Sequence, residues 1–431
     1  MKKYLKLTSL LSVLLLTSCN FKYSYKIVGI DDAGGGIGDG DLWEDTSGID
    51  DSGTYDIKIW VDEKIEALTR SQIGSFEMAY GGKYTINANI EPMSEGAAAT
   101  SMLQDVQSGA DIFCFAQDQL ARLKVAGAVS KITGSLKSFL QDTNSEDSIK
   151  AGSINDSLYS FPVTSDNGYF LYYNKSVVNE DQAKNMTTLL SALKGKGRTL
   201  NFEGRSNGWY AASYFLGTGC RSEWEIDDKT GKFKSYTDTF NSEEGVIAAK
   251  GLREIADASV VAKSATWSNK AGAIITGIWE YAALEEEWGD DLACAEMPYF
   301  TVDGKDYHLS SYDGYKLMGV KPQVDSKKAS VCRKLAQFLT NRSSQLERFT
   351  SAKWGPTNKV VAERDDVKEQ PGLAALAAQH EFATQQGQCP GAWFVALQAT
   401  ATLIETNTDE STIRSLLQTY EDGLDALKSE D

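Results

Sequence analysis

Short apolar or alternating blocks recur along most of the chain, each followed by a longer stretch with apolar residues three and four positions apart. YDIKIWV at 55–61 reads as a strand, and 63–78 as a helix stopped by Gly81-Gly82. YTINANIEP at 84–92 is a second strand, 96–109 a helix ending at Gly109, and ADIFCFA at 110–116 a nearly continuous apolar strand. This alternation predicts a parallel sheet covered by helices, with ligands held beyond the carboxyl ends of the strands. The strand ends at 62–64 and 115–118 are therefore candidate site positions.

At 161–168 a strand runs into Ser165-Asp166-Asn167-Gly168, a turn-forming cluster, and a new strand starts at Tyr169. Such a passage suits a chain that leaves one lobe and begins another. The alternation then resumes: helix at 185–197, strand, polar turn and helix at 198–219, a hairpin at 226–236 with Thr230-Gly231 at its tip, and a helix from Ser242. An apolar strand, a turn and a helix follow at 271–289. The stretch 305–320 reads as a return crossing, 327–350 as a long helix or helix pair, and the chain from Gly372 as helical apart from a break at Cys389-Pro390-Gly391. A third crossing is expected near 355–368. The pattern thus implies two α/β lobes joined by several crossings, a hinged clamp.

The first 53 residues follow another rule. Lys2, Lys3 and Lys6, an apolar core at 7–16 and Leu16-Thr17-Ser18-Cys19 make a signal peptide over 1–18, with a cleavage site that resembles a bacterial lipobox. That resemblance implies lipid on Cys19 and a membrane anchor, two acyl chains giving stable attachment. Residues 20–53 are rich in Gly, Asp and Ser and are expected to be a flexible tether reaching about 30–35 Å. Asp39-Gly40-Asp41 lacks the remaining ligands of a calcium loop, so no metal is assigned. No later stretch approaches the length of an apolar membrane span.

The 431 residues suggest two or three domains, and 60 acids against 43 bases give a net charge of −17, which argues against a nucleic-acid partner. Five cysteines follow Cys19, and no two have CxxC spacing, so most read as core thiols with a single disulfide left open. Only His308 and His380 are present, and no GxSxG, HExxH or P-loop occurs. An enzyme is disfavoured, and no cofactor is indicated.

FPVTSDNGYFLYYNKS at 161–176 resembles the crossover segment of extracellular solute-binding proteins of sugar ABC transporters, the group that includes maltodextrin-binding proteins. Further matches lie at 109–129, 272–284, 351–359 and 389–404, in the same order. The resemblance implies an α/β, two-lobed periplasmic-binding-protein-like fold of type II, with hinge-linked lobes around a ligand cleft. Its lobes would be 54–165 plus 312–362 and 166–311 plus 363–431. It also implies a monomer outside the membrane, a carbohydrate ligand and ABC permease subunits as partners.

Sugars present hydroxyl rims and weakly apolar faces, which call for aromatic platforms and planar polar groups. Aromatics recur at strand–helix junctions beside Gly, Pro and Asn: Phe115, Trp209 after Asn207, Trp279 and Tyr281, Trp354, and Trp393-Phe394. The resemblance implies stacking by Phe115, Trp279 and Trp393, hydroxyl binding by Asp118, and ligand contacts from Asp166 and Asn167. It also implies polar contacts from Glu63 and Lys64. Asp313 on the return crossing completes the candidate set. A surface glycan-binding lipoprotein without a transporter, or a binder of another small solute, remain alternatives.

Overall fold

The computed structural model describes residues 42, 43, 45, 48–227, 230 and 232–428; the expected signal peptide, Cys19 and most of the expected tether lie outside them. Two five-stranded sheets organise the described chain. The first has the spatial order Tyr84–Pro92, Gly53–Val61, Ile112–Ala116, Lys316–Val320, Ser160–Thr164. Its first three strands are parallel, as strand–helix alternation requires. Lys316–Val320 instead runs antiparallel between Ile112–Ala116 and Ser160–Thr164. The sheet is therefore mixed, because a strand from the return crossing is threaded into a sheet begun over 200 residues earlier.

The second sheet has the order Val261–Ala262, Thr199–Asn201, Ala271–Thr276, Phe170–Asn174, Leu292–Ala295. Phe170–Asn174 is antiparallel to both neighbours, so this sheet is mixed too. Helices 371–379, 391–402 and 410–427 return to this lobe, the first against Leu292–Ala295 and the second against helix 208–217.

The apolar interior divides by sheet face rather than by lobe. Phe113 and Phe115 share a cluster with Leu171 and Ile275, whereas Ile59 and Cys114 share another with Tyr172 and Ile274. Alternate side chains of each strand point to opposite faces, and the two faces run on from one lobe to the next.

Three crossings meet at the hinge and are laced together. Ser165 N–H donates to the Gly355 carbonyl at 3.0 Å, and Asn167 N–H donates to the Gly314 carbonyl at 3.0 Å. Asp166, fully buried, accepts from Thr164 Oγ1 at 2.6 Å and from Gly355 N–H at 2.5 Å. Gly168 permits the closest approach: a Cβ there would stand 2.5 Å from the Tyr312 carbonyl oxygen.

One local expectation is corrected and another narrowed. The helix expected to end at Gly109 is Glu95–Gln104, because Asp105 turns extended and its carboxylate accepts from the N–H groups of Gln107 and Ser108. The stretch 327–350, expected as one long helix or a helix pair, is the pair Ser326–Leu339 and Arg342–Ala352, the second capped by Asn341 accepting from Ser344 N–H. Among the described residues no disulfide forms, and no helix is long and apolar enough to cross a membrane.

The end of the expected tether is docked. Trp43 is buried, its indole N–H donating to Ser135 Oγ at 3.1 Å. Asp51 is enclosed by Lys334 at 2.5 Å, Ser330 at 2.7 Å, Tyr84 at 2.8 Å and Lys83 at 2.9 Å. Composition alone suggested a solvated segment; partners far along the chain give it a fixed seat.

Candidate functional site

In the first lobe, Gly53–Val61 ends at Asp62, Tyr84–Pro92 leads to the turn at Ser94, and Ile112–Ala116 leads to Asp118. In the second, Thr199–Asn201 leads to Glu203, Val261–Ala262 to Lys263, and Ala271–Thr276 to Trp279. All six strands point their carboxyl ends at one cavity of about 740 Å³ between the lobes, lined by these residues. Glu95, Asn167, Asn207, Trp209, Lys316, Gln386 and Phe394 are among the other residues of its polar and aromatic wall.

The aromatic side is contiguous. Trp209 lies 6.1 Å from Trp279 and 6.1 Å from Tyr312, with which it stacks at 16°, and Phe394 meets Tyr312 edge-on at 6.0 Å. Trp209 is positioned by its neighbour: Asn207 caps helix Gly208–Gly217, its Oδ1 accepting from Trp209 N–H at 3.0 Å while its Nδ2 donates to Glu203 at 3.1 Å.

The polar side carries buried charge. Burial pushes the Asp118 carboxyl up to about 6, opposed by the Arg122 guanidinium. Burial also raises Glu95, with Lys316 opposing from 3.8 Å. Lys316 Nζ is itself held between two rings, 4.8 Å from the Trp279 centroid and 3.8 Å from that of Trp354. Such a wall of ring faces, carboxylates and amides offers both kinds of contact a hydroxyl-rich ligand requires.

Of the residues singled out by sequence, Asp118, Asn167, Asn207, Trp209, Trp279 and Phe394 line this cavity. The others lie elsewhere. Phe115 is 0% exposed in the first lobe's interior and has no free ring face. Trp393 is 3% exposed, its indole N–H donating to Tyr420 Oη at 2.7 Å; it borders a separate cavity of about 160 Å³ behind Tyr312. Trp354 is 1% exposed beneath Lys316, and Tyr281 is buried beside Tyr172. Asp166 binds the hinge backbone, as described above.

Asp313 faces away from the cavity, accepting from Gln385 Nε2 at 2.7 Å and pairing with His380 at 2.8 Å. Glu63 sits on an exposed shelf with Arg70. Lys64 bridges the lobes, donating to the Trp279 carbonyl at 2.9 Å and pairing with Glu280.

Glu95, Glu203, Lys263, Lys316 and Gln386 were not singled out. Glu95 and Glu203 follow the strands Tyr84–Pro92 and Thr199–Asn201, whose ends are not among the candidate positions at 62–64 and 115–118; extending the strand-end rule to them is the available signal. Gln386 carries no motif at all.

Solved structures share this architecture. A maltodextrin-binding protein from L. casei BL23, described without ligand, superposes with a TM-score of 0.70 at 20% identity, covering 88% of this chain and 100% of that one. The GacH receptor of Streptomyces glaucescens, described unliganded and with acarbose, gives 0.70 at 16%, covering 87% and 99%. The maltose/maltodextrin-binding domain from Bdellovibrio bacteriovorus, bound to maltotriose, gives 0.69 at 18%, covering 85% and 99%. No curated protein sequence matches the chain. At these identities the likeness establishes the fold. The family model described as "Bacterial extracellular solute-binding protein" matches residues 72–375, well over half the sequence, and the chain belongs to that family.

Proposed function

We propose that the protein is the solute-capturing component of an ABC importer, working outside the membrane and binding an oligosaccharide between its lobes. The observation that carries this reading is the interlobe cavity of about 740 Å³, whose lining combines Trp209, Trp279 and Phe394 with Glu95, Asp118, Asn167 and Glu203. Its volume is that of an ordinary small-ligand site, and aromatic rings together with carboxylates in one lining suit pyranose rings better than bare anions. The maltotriose and acarbose complexes of proteins with this fold support the same ligand class.

In this reading the first lobe comprises 54–165 plus 312–362, the second 166–311 plus 363–431, and a diacylglyceryl group on Cys19 holds the monomer at the cell membrane. The open clamp admits the sugar, the rings stack, and contacts made by both lobes favour closure. Permease subunits then receive the ligand unchanged, and ATP is consumed by that partner. No step here breaks a glycosidic bond, which would need two carboxyls flanking it at a set separation.

Calorimetric titration against α-glucans, xylo-, fructo- and galacto-oligosaccharides tests the reading, with product analysis on the same samples. Saturable heat with intact sugar is expected. Heat from none of them, or cleaved product, overturns it. Incorporation of a fatty-acid analogue that Cys19→Ala abolishes is the expected mark of the anchor.

A further inference from the structure

We propose that the run Gln385-Gln386-Gly387-Gln388 is a closure clasp, and that Gln386 is the positioning residue that ties the cavity to the approach of the lobes. The run lies between helices 371–379 and 391–402, both packed on the second lobe. Yet its partners are largely in the first. Gln388 Oε1 accepts from Ala121 N–H at 2.8 Å, and its Nε2 donates to the Gln117 carbonyl at 2.7 Å. Gln117 returns the contact, donating its side-chain amide to the Gln386 carbonyl and accepting from Tyr315 N–H at 2.8 Å.

Gln386 stands where these contacts enter the cavity. Its Nε2 donates to Asp118 of the first lobe at 2.8 Å, while its Oε1 accepts from Asn167 Nδ2 at the crossing at 3.1 Å and from Trp209 Nε1 of the second lobe at 3.4 Å. An indole N–H can only donate, so the amide orientation follows from its partners. The neighbouring backbone leaves room for it: a Cβ on Gly314 would stand 2.9 Å from Gln386 Oε1. One amide thus holds a first-lobe carboxyl and the second-lobe platform Trp209 together. Separating the lobes has to break the bond to Asp118 or the bond to Trp209, because one short side chain cannot follow both.

Closure is therefore favoured by bonds within the protein before any ligand arrives, and a ligand adds to a bias already present. The inference rests on reading the two lobes as a closing clamp, although its main test needs no sugar. Small-angle scattering of the unliganded full chain compares the natural protein with Gln386→Ala and Gln386→Met, the latter keeping side-chain volume. Thermal melts confirm that both variants fold.

Loss of two to three hydrogen bonds is expected to lower the closed-to-open ratio about tenfold, read as a larger radius of gyration in both variants. With maltotriose as probe, dissociation is expected to quicken by a similar factor. Folded variants that scatter like the natural protein overturn the clasp. A scattering shift without maltotriose binding by any form keeps the clasp and counts against maltotriose as ligand. If Gln386→Met behaves like the natural protein and only Gln386→Ala opens, side-chain bulk and not hydrogen bonding holds the lobes, and the proposal fails.

Discussion

The ammonium of Lys316 lies 3.8 Å from the centre of the Trp354 ring, with Trp279 on its other side and the Glu95 carboxylate 3.8 Å away. Lys316 is almost fully buried. It opens the return strand of the first sheet, so a single side chain joins the hinge to the cavity wall. Replacing it with Met removes the partner of a buried carboxylate. We expect Lys316→Met to cost about 3 kcal/mol of stability, measured by urea denaturation, and to loosen Trp279 enough to weaken ligand binding.

The aromatics separate into two groups. Trp209→Ala and Trp279→Ala are expected to weaken oligosaccharide binding by about 1–3 kcal/mol, and Trp279→Ala to leave stability nearly unchanged, because its ring borders open space. Phe115→Ala and Trp393→Ala are expected to cost about 3–5 kcal/mol of stability. Paired calorimetry and denaturation on the four variants check this division. Unfolding by Trp279→Ala with unchanged affinity in the folded fraction would remove it from the site.

Asp118 gives the protein a pH signature. Its carboxyl is raised to about 6 from an ordinary 3.8, so between those values the folded state holds a proton that the unfolded chain has lost. Its stabilising contribution is therefore complete below about 3.8 and disappears as pH rises through about 6. Asp118→Asn, which keeps an acceptor for Gln386, is expected to be more stable than the natural protein at pH 7 by up to about 3 kcal/mol. At pH 3.5 the difference should vanish. Denaturation across this range reads both values.

Asp51 behaves in the opposite sense. Burial works against its charge, but hydrogen bonds from Lys334, Ser330, Lys83 and Tyr84 outweigh that and hold the carboxyl well below its usual value. The stability it brings is present above the ordinary carboxylate range and is lost only as pH falls through the depressed value. Asp51→Ala leaves Lys334 buried without its main partner and is expected to cost about 3 kcal/mol at pH 7. A thermal melt of the variant, or of a chain beginning at residue 54, checks whether the docked segment belongs to the folded lobe.

Much of the fold could be read from the chain because local rules governed it. Gly53–Val61 and Tyr84–Pro92 alternate, and the polar cluster at Ser165-Asp166-Asn167 marks a real passage between sheets. Cavity-lining residues were legible where a strand end fixed them, as with Asp118. They were not legible where the answer depended on which face of a covered strand is open. Every residue of Ile112–Ala116 is buried, so its sequence has no polar face to show that Phe115 points inward. Asp166 and Asn167 are adjacent and chemically alike, yet one turns to the Gly355 backbone and the other to the cavity. Trp43 and Asp51 sat in a composition typical of tethers, and their partners, Gln337 and Lys334, lie almost three hundred residues away.

The placement of Lys316–Val320 between Ile112–Ala116 and Ser160–Thr164 governs how the molecule can be made. A ribosome has delivered both flanking strands long before the one that belongs between them exists. Until about residue 320 emerges, two hydrogen-bonding edges have no mate, and the first lobe stays an unfinished, adhesive intermediate. The half of the molecule that begins first in synthesis has to finish late.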